Sequence, residues 1–503
     1  MEKQLSWLEY NNNVDGYFLL AAVLAGAIIG LFWLIPRLRL SQTTWAIIGF
    51  TVIRVPFLFT SFWYDEAFTA WLSRLPFANM IAATAGDVHP PLWYIIEWVT
   101  VRVLGDSDVA LRLPALALAG IVGWLHLRLC RVWNLGNRLT WVSFWVLALV
   151  PFAVRYGAEA RMYGLLMALV MLMTLLLETN GQAWLFGVLG ALAMLTHNIA
   201  FIYVAPLSVY FIYRRRGSSW PMVIGWLIYL PWLPYALNQA RQVNEAFWIL
   251  PTTPGRVLSE LHVLFFANPT ALSLALAPVL FVLLLVGANS LNPATLRAVW
   301  WYAVAPWLII IPASLLTPIF QARLMIGTLP VLCIVLARGI LHICDRLRLP
   351  ASVAIVGGLA LAVALLATTS LRSDWRGLLA DVPVQHNDTC YHMSPTSIIL
   401  AARYVDCHHV MWPHASNLEQ HLTDETKAAM LIDMRYVEDT QPAHGNLWLW
   451  WGDGPNTTTA ERAEVGRIKA IFAPVETFTI FDLDIAEYTV WRLNNSEIAE
   501  ITD

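Results

Sequence analysis

Apolar runs long enough to cross a bilayer recur from residue 16 to residue 370, and they decide the class of this chain. A span needs about 20 mostly apolar residues. Such runs fall at 16–36, 44–62, 109–129, 139–154, 162–178, 183–197, 199–213, 220–237, 270–288, 298–316, 323–341 and 352–370. In hydrocarbon every backbone amide must be satisfied internally, which leaves helices for segments of this kind. Of 503 residues 58% are hydrophobic and 13% charged, against about a quarter charged in soluble domains. The chain reads as a polytopic α-helical membrane protein with about twelve transmembrane helices.

Charge divides it in two. From Leu371 onward there are 9 Lys and Arg against 20 Asp and Glu, a net charge of −11, while the rest carries 22 against 14, a net of +8. This predicts a membrane domain over 1–370 and an acidic soluble domain over 371–503. Basic loops mark the cytoplasmic side. Arg37 and Arg39, Arg128, Arg131 and Arg138, Arg214 to Arg216, and Arg338, Arg346 and Arg348 all fall on one side when twelve spans alternate. Both termini and the tail then lie outside the cytoplasm. The polar start MEKQLSWLEYNNNVDG shows no cleavable leader.

The first outer loop, 63–108, is too apolar for a linker. Ala67–Leu75 and Pro91–Leu104 predict two helices lying along the membrane surface. In the tail, SIILAARYV predicts a helix, HHVMW a strand, AAMLIDMRYV a helix running into a strand, and NLWLWW a strand. RIKAIFAPVETFTIFDLDIAEYTVWRL predicts paired strands, completing a small α/β domain. Cys130, Cys333 and Cys344 fall in or beside helices. Cys390 and Cys407 are a candidate disulfide if the tail is outside the cytoplasm. His408, His409 and His414 have no metal-site spacing and read as a solvated surface.

Ionisable residues at a membrane cost energy unless solvated or paired, so they point to function. Five places qualify. In FWYDEAFTAW, Asp65 and Glu66 stand side by side, as a general base with its partner or as a solvated helix start. In GDVHPPLWY a proline pair presents Asp87 and His89. In RYGAEARMY, Arg155 and Glu159 share a helical face while Glu159 and Arg161 cannot. His197 stands at a tight turn, and Arg323 opens a late helix, where an arginine fork suits a phosphate or simply snorkels. The predicted topology puts all five on the outer side. Together they suit transfer from a membrane-bound phosphate, with a base to deprotonate the acceptor and cations to hold the leaving group.

The order WYDEAFT, DVHPPLWY, AEARMY, THN, a late-helix Arg and DWRGLL resembles the GT-C glycosyltransferases. Within them it is similar to the branch of protein O-mannosyltransferases and the aminoarabinose transferase of lipid A. The resemblance covers about residues 44–340. It implies a polyprenyl-phosphate-linked monosaccharide as donor and an inverting transfer to a hydroxyl or amine of a glycan, lipid or protein. It implies Asp65 as general base, Glu66 as its partner, Glu159 as a second acidic residue, and Arg161 and Arg323 facing the phosphate. Tyr64, Asp87, His89, Tyr163 and His197 are the substrate-contact candidates. Oligosaccharyltransferases hold a divalent ion with carboxylates, and Asp65, Glu66, Asp87 and Glu159 offer oxygens; the mannosyltransferase-like branch needs none, and no cofactor is expected. Partners are the lipid donor, the acceptor and the bilayer, not nucleic acid. A flippase of lipid-linked sugars is the rival reading, but repeated halves and midplane charges are not evident. A GT-C enzyme acting on oligosaccharide donors is the runner-up within the enzyme class.

Overall fold

The computed structural model describes residues 2–5, 41–216, 219–245, 251–267, 270–350, 357, 375–380, 382–393, 395–414, 424–435, 445–453, 459–472, 474–481 and 487–493. Among these, six helices are long and apolar enough to cross a membrane: Gln42–Phe59, Asp108–Val132, Trp220–Arg241, Ala271–Ser290, Pro293–Leu316 and Ala322–Arg346. Shorter apolar helices, Tyr163–Glu178, Ala183–Thr196 and Asn198–Arg214, fill the positions predicted between them. The spans expected at 16–36 and, save for residue 357, at 352–370 lie outside the described residues. The chain is a multi-pass membrane protein; the count of twelve is not reached among the described helices.

Burial sorts the spans. The most apolar window of Ala322–Arg346 is 83% buried, whereas that of Ala271–Ser290 is 17% buried. One is the centre of the bundle and the other faces lipid. They touch backbone to backbone. A Cβ on Gly287 would meet the Val335 carbonyl oxygen at 2.0 Å, and one on Gly339 would meet that of Leu283 at 2.0 Å. Apolar side chains gain little by leaving lipid for each other, so close approach at small residues is what binds such helices.

The first outer loop forms three helices rather than two: α1 (Tyr64–Arg74), α2 (Phe77–Ala85) and α3 (Leu92–Leu104). FANMIAATA carries no charge to mark its ends, and Pro76 at its N-cap ends α1 and starts α2. The span α4 (Asp108–Val132) follows after Gly105, whose φ of 84° suits a residue without Cβ, and its first turn is capped by Ser107 accepting from the Ala110 amide.

The tail builds a sheet from β2 (Thr389–His392), β3 (His408–Met411), β4 (Leu447–Asp453), β5 (Pro474–Phe481) and β6 (Glu487–Leu493). A sixth strand, β1 (Glu2–Leu5), comes from the N-terminus, and the order is β1-β5-β6-β4-β2-β3. β2 runs parallel to β3 and β4, and β6 antiparallel to β4 and β5. β1 runs parallel to β5, which places the N-terminal strand in the sheet of the tail. Two predictions need correcting. RIKAI belongs not to a strand but to the helix Thr459–Ile471, whose Val465 and Ile468 turn inward at helical spacing. His409 is half-buried rather than solvated.

The α/β domain seats on the first loop through the helix α5 (Pro395–Tyr404) and the segment Trp375–Ala380. Asp108 is the hub. It accepts from Arg403 Nη2 at 2.6 Å, Arg376 Nη2 at 2.6 Å and Tyr404 Oη at 2.9 Å. The Phe62 amide donates to Tyr404 Oη, the Trp375 amide to Ser61 Oγ at 2.9 Å, and Trp71 Nε1 to the Met430 carbonyl at 3.0 Å.

Candidate active site

Asp65 and Glu66 open α1, where carboxylates suit the exposed amides of a first turn. Successive residues of a helix point about 100° apart, so the two side chains part company. Glu66 turns inward and is fully buried. Its carboxylate takes a two-pronged bond from Arg112, Nε to Oε1 at 2.8 Å and Nη2 to Oε2 at 2.7 Å, and Oε1 also accepts from the Ala160 amide at 2.8 Å. The Ala160 carbonyl accepts from Trp93 Nε1 at 3.0 Å. The turn between Glu159 and Arg161 is thus clamped from both sides.

Asp65 turns the other way. Its Oδ2 lies 3.3 Å from Arg323 Nη1 and 3.6 Å from Arg161 Nη2. The side chains of Asp65 and Arg323 keep 19% and 17% exposure, while that of Arg161 keeps 2%. Arg161 is further held by Thr69 Oγ1 at 3.1 Å and Tyr94 Oη at 3.3 Å. Arg323 donates from Nε to Gln321 Oε1 at 2.7 Å. Two guanidiniums around one carboxylate leave a net charge of about +1 there at neutral pH, since Arg stays protonated.

The HPP turn completes the wall. His89 Nε2 is 3.3 Å from Arg161 Nη2, and its Nδ1 is 3.3 Å from Asp87 Oδ2. A guanidinium only donates and a carboxylate only accepts, so His89 is neutral with its proton on Nδ1. Burial, the largest influence, pushes its pKa below the usual histidine value in the same sense. Tyr94 Oη donates to Asp87 Oδ2 at 3.1 Å. The His197 ring stands edge-on to His89, centroids 5.2 Å apart, with Tyr163 6.3 Å beyond.

The structure therefore brings Asp65, Asp87, His89, Arg161, Tyr163, His197 and Arg323 together from five separate stretches of sequence. Glu159 pairs with Arg155 at 3.6 Å, but not on a shared helical face: the helix carrying Arg155 ends at Tyr156, and Glu159 lies in the turn beyond it. Tyr64 stacks on Phe68 at 6.1 Å. The four carboxylates considered as ion ligands do not converge. Asp65 faces two arginines, Glu66 holds Arg112, Glu159 pairs with Arg155 and Asp87 serves His89 and Tyr94.

Three positioning residues escape a reading by sequence. Arg112 sits inside an apolar run and meets Glu66 across 46 residues. Gln239 donates to the carbonyls of Thr84 at 2.9 Å and His89 at 3.2 Å, and accepts from Asn198 Nδ2 at 2.7 Å. Glu260 accepts from the Ala322 amide at 2.6 Å, fixing the residue before Arg323. Of these, only Glu260 carries a charge pattern visible beforehand, its four-residue spacing from Arg256.

ArnT from Cupriavidus metallidurans in the apo state superposes on this chain with a TM-score of 0.54 and 12% sequence identity, over 89% of this chain and 98% of that one. The chain shares its fold with ArnT. The structure of ArnT bound to undecaprenyl phosphate gives the same TM-score, 0.54, and the same 12% identity, over 91% and 99% of the two chains. The likeness extends over 98–99% of ArnT's length and is one of fold. No family model matches the chain, and no curated protein matches it in sequence.

Proposed function

We propose that the chain is a membrane glycosyltransferase that moves a monosaccharide from a polyprenyl phosphate to an acceptor hydroxyl or amine at the extracytoplasmic face. One observation carries this reading: a partly exposed carboxylate, Asp65, held between two guanidiniums whose surplus charge complements a phosphodiester. The solved ArnT with undecaprenyl phosphate supports a lipid phosphate as the ligand of such a site. The Cys390–Cys407 disulfide supports an oxidising compartment for the α/β domain, and that domain seats on the loop carrying Asp65.

The chemistry follows from the layout. The acceptor attacks the anomeric carbon from the side opposite the lipid phosphate. Its new bond forms as the bond from that carbon to the phosphate oxygen breaks, which inverts the centre. The electron pair goes to the phosphate, where Arg161 and Arg323 balance the added charge. The acceptor's proton passes to Asp65. As the phosphate takes up the guanidiniums, it leaves an oxygen of Asp65 for that proton. The arginines supply the positive charge, so the step needs no metal ion. Neutral His89 keeps Arg161 in place without adding a third cation.

The test uses purified protein in lipid with synthetic polyprenyl-phosphate sugars and a mixed acceptor extract. Lipid-phosphate release should survive chelation and fall by about 10²–10⁴-fold in Asp65→Asn. Release that is unchanged in Asp65→Asn removes the proposed base. Release abolished by chelator makes Asp65 an ion ligand. Transport of the lipid-linked sugar without release favours the flippase.

A further inference from the structure

A row of rings lines the site beside the two arginines. His89 and His197 meet edge-on with centroids 5.2 Å apart, Tyr163 lies 6.3 Å beyond His197, and Tyr156 stands edge-on to Tyr163 at 5.0 Å. Phe152, 4.3 Å from Tyr156, closes the row. Tyr156 ends the short helix Pro151–Tyr156 and Tyr163 opens the helix Tyr163–Glu178, so the turn that carries Arg161 joins the two phenols. Arg323 lies within electrostatic reach of both phenols, and Arg161 within that of Tyr163 and His197.

His89 uses both of its nitrogens, on Arg161 and Asp87. His197 uses one. Its Nδ1 accepts from the Ile199 amide at 3.2 Å and caps the turn Asn198–Ala200. An amide only donates, so Nδ1 carries no proton and the proton of the ring sits on Nε2. His197 Nε2, Tyr156 Oη and Tyr163 Oη have no hydrogen-bond partner among the described residues, and none of the three is sealed in by protein. The residues that bear them are 7%, 8% and 1% exposed. A buried hydroxyl or N–H without a partner is costly, and such groups are nearly always satisfied. Three in one row suit a ligand that offers several hydroxyls together.

We infer that Tyr156, Tyr163 and His197 form the sugar subsite of the donor, and that this subsite takes an uncharged, hydroxyl-bearing monosaccharide. The inference rests on the reading of a lipid phosphate at Arg161 and Arg323: a sugar bonded to that phosphate lies next to it, along the row. The rings suit the C–H faces of a sugar, while the phenols and the imidazole N–H reach its hydroxyls. A phenol both donates and accepts, so two of the three points meet a hydroxyl in either sense. Charge sets the class. The row presents no carboxylate, and the acids around it are engaged, Asp87 by His89 and Tyr94 and Glu159 by Arg155. Asp65 serves the acceptor. An ammonium on the sugar would stand near Arg323 with no acid of its own, and like charges so placed are disfavoured. A carboxylate on the sugar would compete with the phosphate for the same guanidiniums.

The experiment uses the full chain in lipid nanodiscs and follows displacement of a fluorescent polyprenyl phosphate. The competitors are polyprenyl phosphate itself, a neutral polyprenyl-phosphate hexose, its single-deoxy analogues and its amino analogue. The hexose donor should bind more tightly than polyprenyl phosphate alone, and more tightly than the amino donor. Tyr156→Phe, Tyr163→Phe and His197→Asn should each weaken the hexose donor by about 2–10-fold, the effect of one neutral hydrogen bond, with the affinity for polyprenyl phosphate unchanged. Asn keeps the cap that His197 supplies, through its own side-chain oxygen. At least one deoxy donor should lose a similar factor on the wild type and nothing further on the variant that lacks its partner. The wild-type chain alone keeps the test decisive if a variant does not fold: deoxy donors that all bind like the parent overturn the inference. Equal losses of polyprenyl phosphate and hexose donor in the variants also overturn it, since the row would then only support the arginines. So does an amino donor that binds as well as the neutral one. Polyprenyl phosphate that binds while the sugar adds nothing overturns this inference alone. A chain that binds no polyprenyl phosphate removes the phosphate reading and the subsite with it.

Discussion

Asp65 and Arg323 stand 258 residues apart in the chain and 3.3 Å apart at the site. A late helix thus brings its cation to the first outer loop, and the Ala322 amide held by Glu260 sets its approach. Arg323→Lys keeps the charge but loses the planar fork. It should lower kcat/KM for lipid-phosphate release by about 10-fold, and Arg323→Ala by about 100-fold, roughly 2.7 kcal/mol of transition-state stabilisation. Initial rates over a range of donor concentrations check both. Equal rates for Lys and Ala variants would mean the fork is not used.

Glu66 and Arg112 form a buried pair, and removing one partner strands the other. Glu66→Gln or Arg112→Met should each destabilise by about 3–5 kcal/mol, and the double replacement by less than the sum. Thermal unfolding in lipid measures the cycle. Loss of transfer in Glu66→Gln at undiminished stability would put Glu66 in the chemistry instead of beneath it.

Glu97, on α3, is fully buried, with neither carboxylate oxygen hydrogen-bonded among the described residues. Burial, then the charge of Glu66, raises its pKa well above the ordinary carboxylate value, so the folded protein holds it protonated. The unfolded chain gives up this proton near pH 4.5, so the folded state binds more protons above that pH and loses stability as pH rises, by about 1.4 kcal/mol per unit until the folded pKa is reached. Glu97→Gln should flatten the dependence of the unfolding midpoint on pH above about 4.5. An unchanged slope would show that Glu97 is ionised in the fold.

Gly339 and Gly287 let the central helix and a lipid-facing one touch along their backbones. Gly339→Val places carbon where a carbonyl oxygen stands and should cost at least about 1–3 kcal/mol. Folded yield in detergent and unfolding temperature report it. A Val variant of wild-type stability would mean that the two helices part freely.

What was legible in the sequence is what costs energy locally. Asp65, His89, Arg161, His197 and Arg323 stood out because ionisable groups at the ends of apolar runs must be paired or solvated. Arg112 did not, because an arginine one turn inside a span looks like a snorkelling anchor until its partner Glu66 is known. The side-by-side spelling of Asp65 and Glu66 suggested a working pair, but one helical step sends them to different neighbours. In the tail, TCYH was too short to read as a strand, and its place next to HHVM depends on parallel pairing that no local pattern records. RIKAI alone shows no helical spacing: its Ile468 follows Val465 by three and Glu461 by seven, a pattern that needs the preceding TAERAEVG.

Asp108→Ala should loosen the α/β domain from the first loop, since three donors lose their shared acceptor. Protease should then cut within Trp375–Ala380 and Pro395–Tyr404 faster, with the sheet itself remaining resistant. Equal cutting of both forms would show that other contacts hold the seat.

The partners of Asp108 also set a timetable. Arg403 follows it by 295 residues. At a synthesis rate of about 5–20 residues per second, roughly 15–60 seconds pass between the emergence of the two. Through that interval the acidic hub waits at the membrane face while span after span is inserted. The first loop is thus made early, while its seat for the α/β domain closes only once residue 403 has been made.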